Sequence, residues 1–287
     1  MGRIAYVNGR FVPHGEAMVH IEDRGYQLGD AVYEVWAVFG GRLGDPEGHF
    51  ARLERSLGEL SIPMPMSRAA LIVVLKEALR RNRIREGLIY LQVSRGVAPR
   101  QHAYPSGDLR PAMVITASRV DRAADEARAT AGIKVITAPE NRWGRADIKT
   151  VNLLPNAMAK QKAKDAGATE AWYVDDLGFV TEGASSNVWI LDAEGTLRTR
   201  DTNANILRGV TRLSLLDIIR REGLPVDERP FTPAEAQAAK EAFITGAGSL
   251  VLPVIAVDGR PVGGGKVGPV AMKLRRLYIE QAISSAI

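Results

Sequence analysis

Apolar residues alternate over some stretches of the chain and recur every three to four residues over others, and the two periods mark strands and helices. Ile4-Ala5-Tyr6-Val7 and Arg10-Phe11-Val12 flank Asn8-Gly9, the signature of a β-hairpin turn. Residues 31–39 are rich in Val, Tyr and Trp and read as a strand that Gly40-Gly41 ends. Over 46–60, Phe50, Leu53, Leu57 and Leu60 fall on one helical face, and Ser67 caps a second helix running to about residue 81. Strands follow over 88–93 and 112–116.

The stretch 121–130 is polar, charged and Ala-rich, and is expected to be an interdomain linker. Beyond it the pattern predicts a strand over 133–137 and a helix over 155–166 with Pro155 in its first turn. Short strands are expected over 171–174, 179–181 and 188–191, and a helix over 210–221 stopped by Gly223. Strands over 242–245 and 252–257 and a final amphipathic helix over 268–283 complete the chain, with no internal repeat. The fold class expected is α+β in two lobes: a smaller N-terminal α/β domain over 1–120, the linker over 121–130, and a larger C-terminal domain over 131–287.

Composition narrows the function. Hydrophobic residues at 46% and charged residues at 25% are the balance of a globular protein. The net charge of +5 is spread through the chain, which favours small anions and argues against a nucleic-acid partner. With no cysteine, thiol catalysis, disulfides, iron–sulfur clusters and Cys-based zinc sites are excluded, and a reducing cytoplasm is the expected setting. Residues 1–12 read as strand, not as a signal peptide, and the aliphatic run 71–75 falls far short of the ~20 residues that span a bilayer, so no membrane association is expected. The four histidines are scattered, and no metal site is expected.

Four segments carry candidate chemistry. In Asp147-Ile148-Lys149-Thr150-Val151-Asn152-Leu153-Leu154 a lysine sits among aliphatic residues, where lost hydration favours a reactive neutral amine; the alternative is a surface lysine paired with Asp147. In Thr181-Glu182-Gly183-Ala184-Ser185-Ser186-Asn187 a carboxylate is followed by small polar residues, suited either to a turn or to holding a buried cation. Glu182 lies 33 residues after Lys149, a spacing that allows neighbouring strand ends. In Leu207-Arg208-Gly209-Val210-Thr211-Arg212 a helix begins, and its free N–H groups can bind phosphate, as can the small-residue turn Gly246-Ala247-Gly248. Arg52, on the 46–60 helix, is an available phosphate partner or a plain surface charge. In Pro99-Arg100-Gln101-His102 an extended backbone would point Arg100 and His102 to one side, ready for a carboxylate.

Together with Glu22-Asp23-Arg24-Gly25-Tyr26-Gln27-Leu28-Gly29-Asp30 and the residues up to Val35, these ordered motifs resemble the fold-type IV pyridoxal phosphate aminotransferases, and among them most of all the D-amino acid transaminases. The resemblance runs from residue 4 to about residue 268. It implies that Lys149 is the lysine covalently joined to pyridoxal 5′-phosphate and that Glu182 pairs with the pyridine nitrogen. It implies a phosphate cup of Arg52, Val210, Thr211 and Ala247, with Leu207 packed on the ring. Tyr33, Arg100 and His102 match the trap for the substrate carboxylate, the last two reaching in from a neighbouring subunit, so a homodimer is implied. The reaction implied is transfer of an amino group from a D-amino acid such as D-alanine or D-glutamate to 2-oxoglutarate or pyruvate. Branched-chain L-amino acid transaminases, (R)-amine transaminases and aminodeoxychorismate lyase are the alternatives. One departure stands out: the D-amino acid enzymes tend to carry hydroxyl residues where this chain has Gly246, Ala247 and Gly248, which implies weaker cofactor retention.

Overall fold

The computed structural model describes residues 3–107, 109–202 and 206–287, so the first two residues of the expected N-terminal strand lie outside it. The chain divides into two compact units. One comprises residues 1–121, 148–152 and 285–287, the other residues 122–147 and 153–284.

The first unit begins with the hairpin β1 (Ile4–Val7) and β2 (Arg10–Pro13). Its turn residues Asn8 and Gly9 both have positive φ, at 46° and 96°, as a two-residue hairpin turn requires. A short helix α1 (Arg24–Leu28) follows, capped by the Asp23 carboxylate. Then come β3 (Ala31–Phe39), β4 (Arg42–Leu43), α2 (Pro46–Glu59), α3 (Arg68–Asn82), β5 (Gly87–Ser94) and β6 (Ala112–Arg119). The strands form a six-stranded sheet in the order β2-β1-β6-β5-β3-β4. Its core gathers Val32, Trp36 and Ile89 from the strands with Phe50, Leu53, Leu71 and Leu75 from α2 and α3. Ile148, from a distant part of the chain, is buried in the same core.

The second unit opens with α4 (Arg122–Ala131). The expected linker over 121–130 is therefore helical over almost all its length. Alanine is the strongest helix former, and Asp125 and Ala129, one turn apart, form a buried stripe that packing stabilises. The remaining elements are β7 (Ile133–Pro139), α5 (Leu154–Asp165), β8 (Glu170–Val174), β9 (Val180–Gly183), β10 (Asn187–Leu191), β11 (Leu197–Thr199), α6 (Val210–Arg221), β12 (Val226–Glu228), α7 (Pro233–Ala238), β13 (Glu241–Gly246), β14 (Leu250–Val257), β15 (Arg260–Pro261) and α8 (Pro269–Ser284). They build a nine-stranded mixed sheet in the order β12-β11-β10-β13-β14-β7-β8-β9, with β15 against β14. Trp172, Val188, Ile190, Phe231, Ile244 and Leu252 lie in its core. Among the described residues no helix is long and apolar enough to cross a membrane.

Two glycines test this packing in opposite directions. A Cβ at Gly87 would stand 2.1 Å from the Ser118 carbonyl oxygen on the neighbouring strand, so Gly87→Ala should lower stability by about 1–3 kcal/mol. Gly58 is exposed on α2 with open space around it, so Gly58→Ala should raise stability by roughly 1 kcal/mol through helix propensity. Denaturant unfolding of both variants checks the pair.

Candidate active site

In the first unit, residues 148–152 form an irregular segment held against the start of β3. The Tyr33 N–H donates to the Lys149 carbonyl at 3.0 Å, the Val151 N–H to the Ala31 carbonyl at 3.1 Å, and Thr150 makes an isolated bridge to Val32. With Ile148 sunk in the core on one side and Thr150 buried on the other, Lys149 stays half-buried between two fixed neighbours. Its ammonium nitrogen lies 4.1 Å from the centroid of the Tyr33 ring, within cation–π range. Asp147 does not pair with it: that carboxylate is taken by Arg145 at 2.9 Å. The alternative of a surface Lys149–Asp147 pair is thus replaced by a lysine resting on an aromatic face. Nor is Lys149 at a strand end, the place its spacing to Glu182 allows; the buried side chains on either side hold it without regular structure.

Arg52 is less simple than a surface charge. Its Nε and one terminal nitrogen donate to the two oxygens of Glu34, at 2.7 and 2.9 Å. Glu34 projects from β3, is fully buried, and also meets His49 Nδ1 at 2.7 Å. Burial alone would raise the Glu34 carboxyl, but the charge and hydrogen bonds of Arg52, with His49, outweigh it and hold the group well below the ordinary carboxylate range. Arg52 is thereby fixed by a carboxylate that the sequence pattern did not single out.

Arg100 and His102 lie on an exposed stretch after β5 that bends at 100 and at 102–103 instead of running extended. Both side chains are exposed, and neither makes a hydrogen bond or ion pair with another described residue. The side chain of Tyr33 stacks on Tyr90 of β5, with centroids 5.7 Å apart.

In the second unit, Glu182 sits in β9 and is 4% exposed. Arg142, from the loop after β7, donates to Oε1; the Asn187 amide donates to Oε2 at 3.0 Å; the Leu207 N–H reaches both oxygens at 3.2 Å. Burial pushes the Glu182 carboxyl up, and the Arg142 guanidinium offsets that only in part. Arg142 is itself braced by Glu140, at 2.6 Å, and its guanidinium lies 4.6 Å from the Tyr173 ring centroid. Glu140 accepts in turn from the Thr181 hydroxyl at 2.8 Å.

Asn187 also donates to the Leu207 carbonyl at 2.9 Å. A Cβ at Gly209 would come within 2.0 Å of the Asn187 amide oxygen, so glycine alone lets the chain pass there. Leu207 is thus tied to Glu182 through its backbone. Gly209 caps α6 without a side-chain hydrogen bond, and the first backbone bond of the helix is made by the Leu213 N–H. Among the described residues, the N–H groups of Val210, Thr211 and Arg212 in the first turn meet no hydrogen-bond acceptor, an arrangement suited to a phosphate. The Thr211 hydroxyl meets the Tyr278 hydroxyl at 3.2 Å. Ala247 lies in the turn between β13 and β14, where Ser249 brings a hydroxyl close to Gly246.

A family model described as amino-transferase class IV matches residues 31–257. The chain belongs to the class IV aminotransferases. It is 42% identical over 268 residues to the D-alanine aminotransferase of Bacillus licheniformis, covering 93% of each chain. It is 39% identical to that of Staphylococcus haemolyticus, covering 97% of this chain and 99% of the other. Among solved structures, a T.th. branched-chain amino acid aminotransferase with pyridoxamine 5′-phosphate matches with a TM-score of 0.89 and 27% identity, over 98% of this chain and 94% of that one. The fold is that of the fold-type IV enzymes.

Arg142, Asn187 and Glu34 are the residues that sequence reasoning passed over. Asn187 stood at the end of the Glu182 motif and Glu34 inside the Glu22–Val35 motif, both without a role, and Arg142 stood in a stretch with no distinguishing spacing.

Removing the cation from Glu182 has a signed consequence. A carboxyl with a raised folded pKa binds more protons folded than unfolded just above the ordinary carboxylate range, so stability falls as pH rises through that window. Arg142→Met should cost about 3–5 kcal/mol and steepen that fall, because the buried charge is left without its partner. Thermal melts at about pH 5 and pH 8 check it: the deficit against the wild type should be larger at the higher pH.

Proposed function

We propose that this class IV aminotransferase transfers amino groups from D-amino acids, D-alanine foremost, to an α-keto acid such as 2-oxoglutarate or pyruvate. Pyridoxal 5′-phosphate is the cofactor, and the residues present fit it in kind: an amine held on an aromatic face, a buried carboxylate, and an uncapped helix N-terminus. Lys149 would hold its aldehyde carbon, Glu182 its ring nitrogen, and the Val210 and Thr211 turn, Ala247 and Arg52 its phosphate. When bound, the cofactor supplies a ring that accepts the electron pair left when the amino acid Cα loses its proton.

The remaining work falls to the side chains. Lys149 Nζ, as the neutral amine, would take the proton from the amino acid Cα and carry it for the return transfer. The Tyr33 ring, 4.1 Å from Nζ, gives the lysine a fixed resting face. Glu182, fixed in place by Arg142 and Asn187, would hold the ring nitrogen through a hydrogen bond.

One observation carries the choice of D-amino acids: Arg100 and His102 are displayed on one exposed loop with no protein partner for either side chain among the described residues. A guanidinium fork and an imidazole suit a substrate carboxylate. The exposed Met18, Ile21 and Tyr26, at 79%, 74% and 73%, support a homodimer in which that loop serves the neighbouring subunit, and a cytoplasmic setting is part of the same reading. The likeness to branched-chain enzymes favours L-leucine as the second reading.

An absorbance spectrum decides between them. The purified protein should be yellow, and the colour should collapse with D-alanine and persist with L-leucine. Collapse with L-leucine alone would keep the fold and cofactor and reject the role of Arg100. Pyruvate release without a keto acid acceptor would point to a lyase. Lys149→Ala should abolish turnover, and normal turnover in that variant would remove the proposed mechanism.

A further inference from the structure

The segment from Glu22 to Asp30 contains Asp23 and Arg24, two of the most deeply buried charged residues of the first unit. Arg24 is 2% exposed, and its Nε donates to Asp30 Oδ2 at 2.7 Å. Its two terminal nitrogens leave the helix and reach the loop after β5: one donates to the Gln101 carbonyl at 2.7 Å, the other to the His102 carbonyl at 3.4 Å. These are backbone atoms of the very stretch that displays Arg100 and His102.

Asp30 serves a second arginine. Arg95 donates to its two oxygens at 2.7 and 3.1 Å, and also to the carbonyls of Leu60 and Ser61 at 2.6 and 3.1 Å. The Arg95 guanidinium lies 3.6 Å from the Tyr104 ring centroid. The loop is therefore gripped at 101–102 by Arg24 and at 104 by Arg95, with one carboxylate aligning both arginines. Among the described residues, the backbone of 99–107 makes no hydrogen bond to another backbone group, so side chains supply what regular structure elsewhere would.

We propose that Arg24 is a positioning residue for substrate-carboxylate recognition: through Asp30 it fixes the backbone at Gln101 and His102 and so sets where Arg100 and His102 are presented. The inference rests on the assignment of those two side chains to the substrate carboxylate. A lysine cannot take its place, because one ammonium on a flexible stem cannot hold a carboxylate and two carbonyls in a fixed fork. A loosened loop weakens substrate capture and leaves the proton transfers at Lys149 intact, which separates KM from kcat.

The test compares wild-type holoenzyme with Arg24→Lys, Arg100→Ala and the double variant. Amide hydrogen exchange over 99–107 and steady-state kinetics with D-alanine are the two readouts. Arg24→Lys should exchange faster in the loop, raise KM about tenfold and leave kcat within about threefold, with the cofactor colour unchanged. In the Arg100→Ala background the same substitution should add little, because the group being positioned is gone. Unchanged exchange, or a KM increase of the same factor with and without Arg100, overturns the proposal. An unchanged KM in Arg100→Ala alone rejects the carboxylate assignment, while faster exchange in Arg24→Lys still upholds the anchoring. Should Arg24→Lys not fold, Tyr104→Leu tests the second anchor at a position 58% exposed, with the same directions expected.

Discussion

A carboxylate taken out of water costs several kcal/mol unless each oxygen finds donors, and the arrangement of this protein follows from how three such groups are answered. Glu34, Asp30 and Glu182 are each nearly or fully enclosed, and each meets an arginine. In every case that arginine, or a second donor, comes from another part of the chain. Glu34 draws in Arg52 from α2, Asp30 draws in Arg95 from the end of β5, and Glu182 draws in Arg142 and the Leu207 backbone. Burial of charge thus fastens to each unit the segments that carry its candidate groups.

The cost of a broken network exceeds the gain of an intact one, since an unpaired buried charge keeps its full desolvation penalty. This asymmetry makes the arginines exacting. Arg142 is braced by Glu140, which is braced by Thr181, so the guanidinium that faces Glu182 has little freedom to turn away. Burial keeps the Glu182 carboxyl raised in spite of it.

Lys149 is placed by a different force. Its neighbours Ile148 and Thr150 are buried, and backbone bonds to Ala31 and Tyr33 hold the strip in register with β3. The amine is left against an aromatic face, with no carboxylate paired to it among the described residues.

Most helices and strands could be read from the sequence because periodicity is a local property: β3 spans the expected 31–39, and α6 begins at the expected residue 210. The stretch 121–130 was misread because its Ala-rich composition suits helix and linker alike, and the packing of Asp125 and Ala129 decides between them. The five-residue α1 and six-residue α7 were missed because so few residues show no period, though Thr232 and Glu235 form a capping box at α7. Of the candidate site, Lys149, Glu182, the Val210 turn and the Arg100 loop stood in motifs and were legible. Arg142, Glu34 and the grip of Arg24 on Gln101 and His102 were not, because their partners lie 40, 18 and 77 or 78 residues away. Sequence by itself determined most of the longer elements and the candidate groups for chemistry, which depend on neighbours along the chain. Tertiary structure alone decided which cation answers each buried carboxylate, because a charge removed from water must be compensated by whatever the fold brings within a few ångströms.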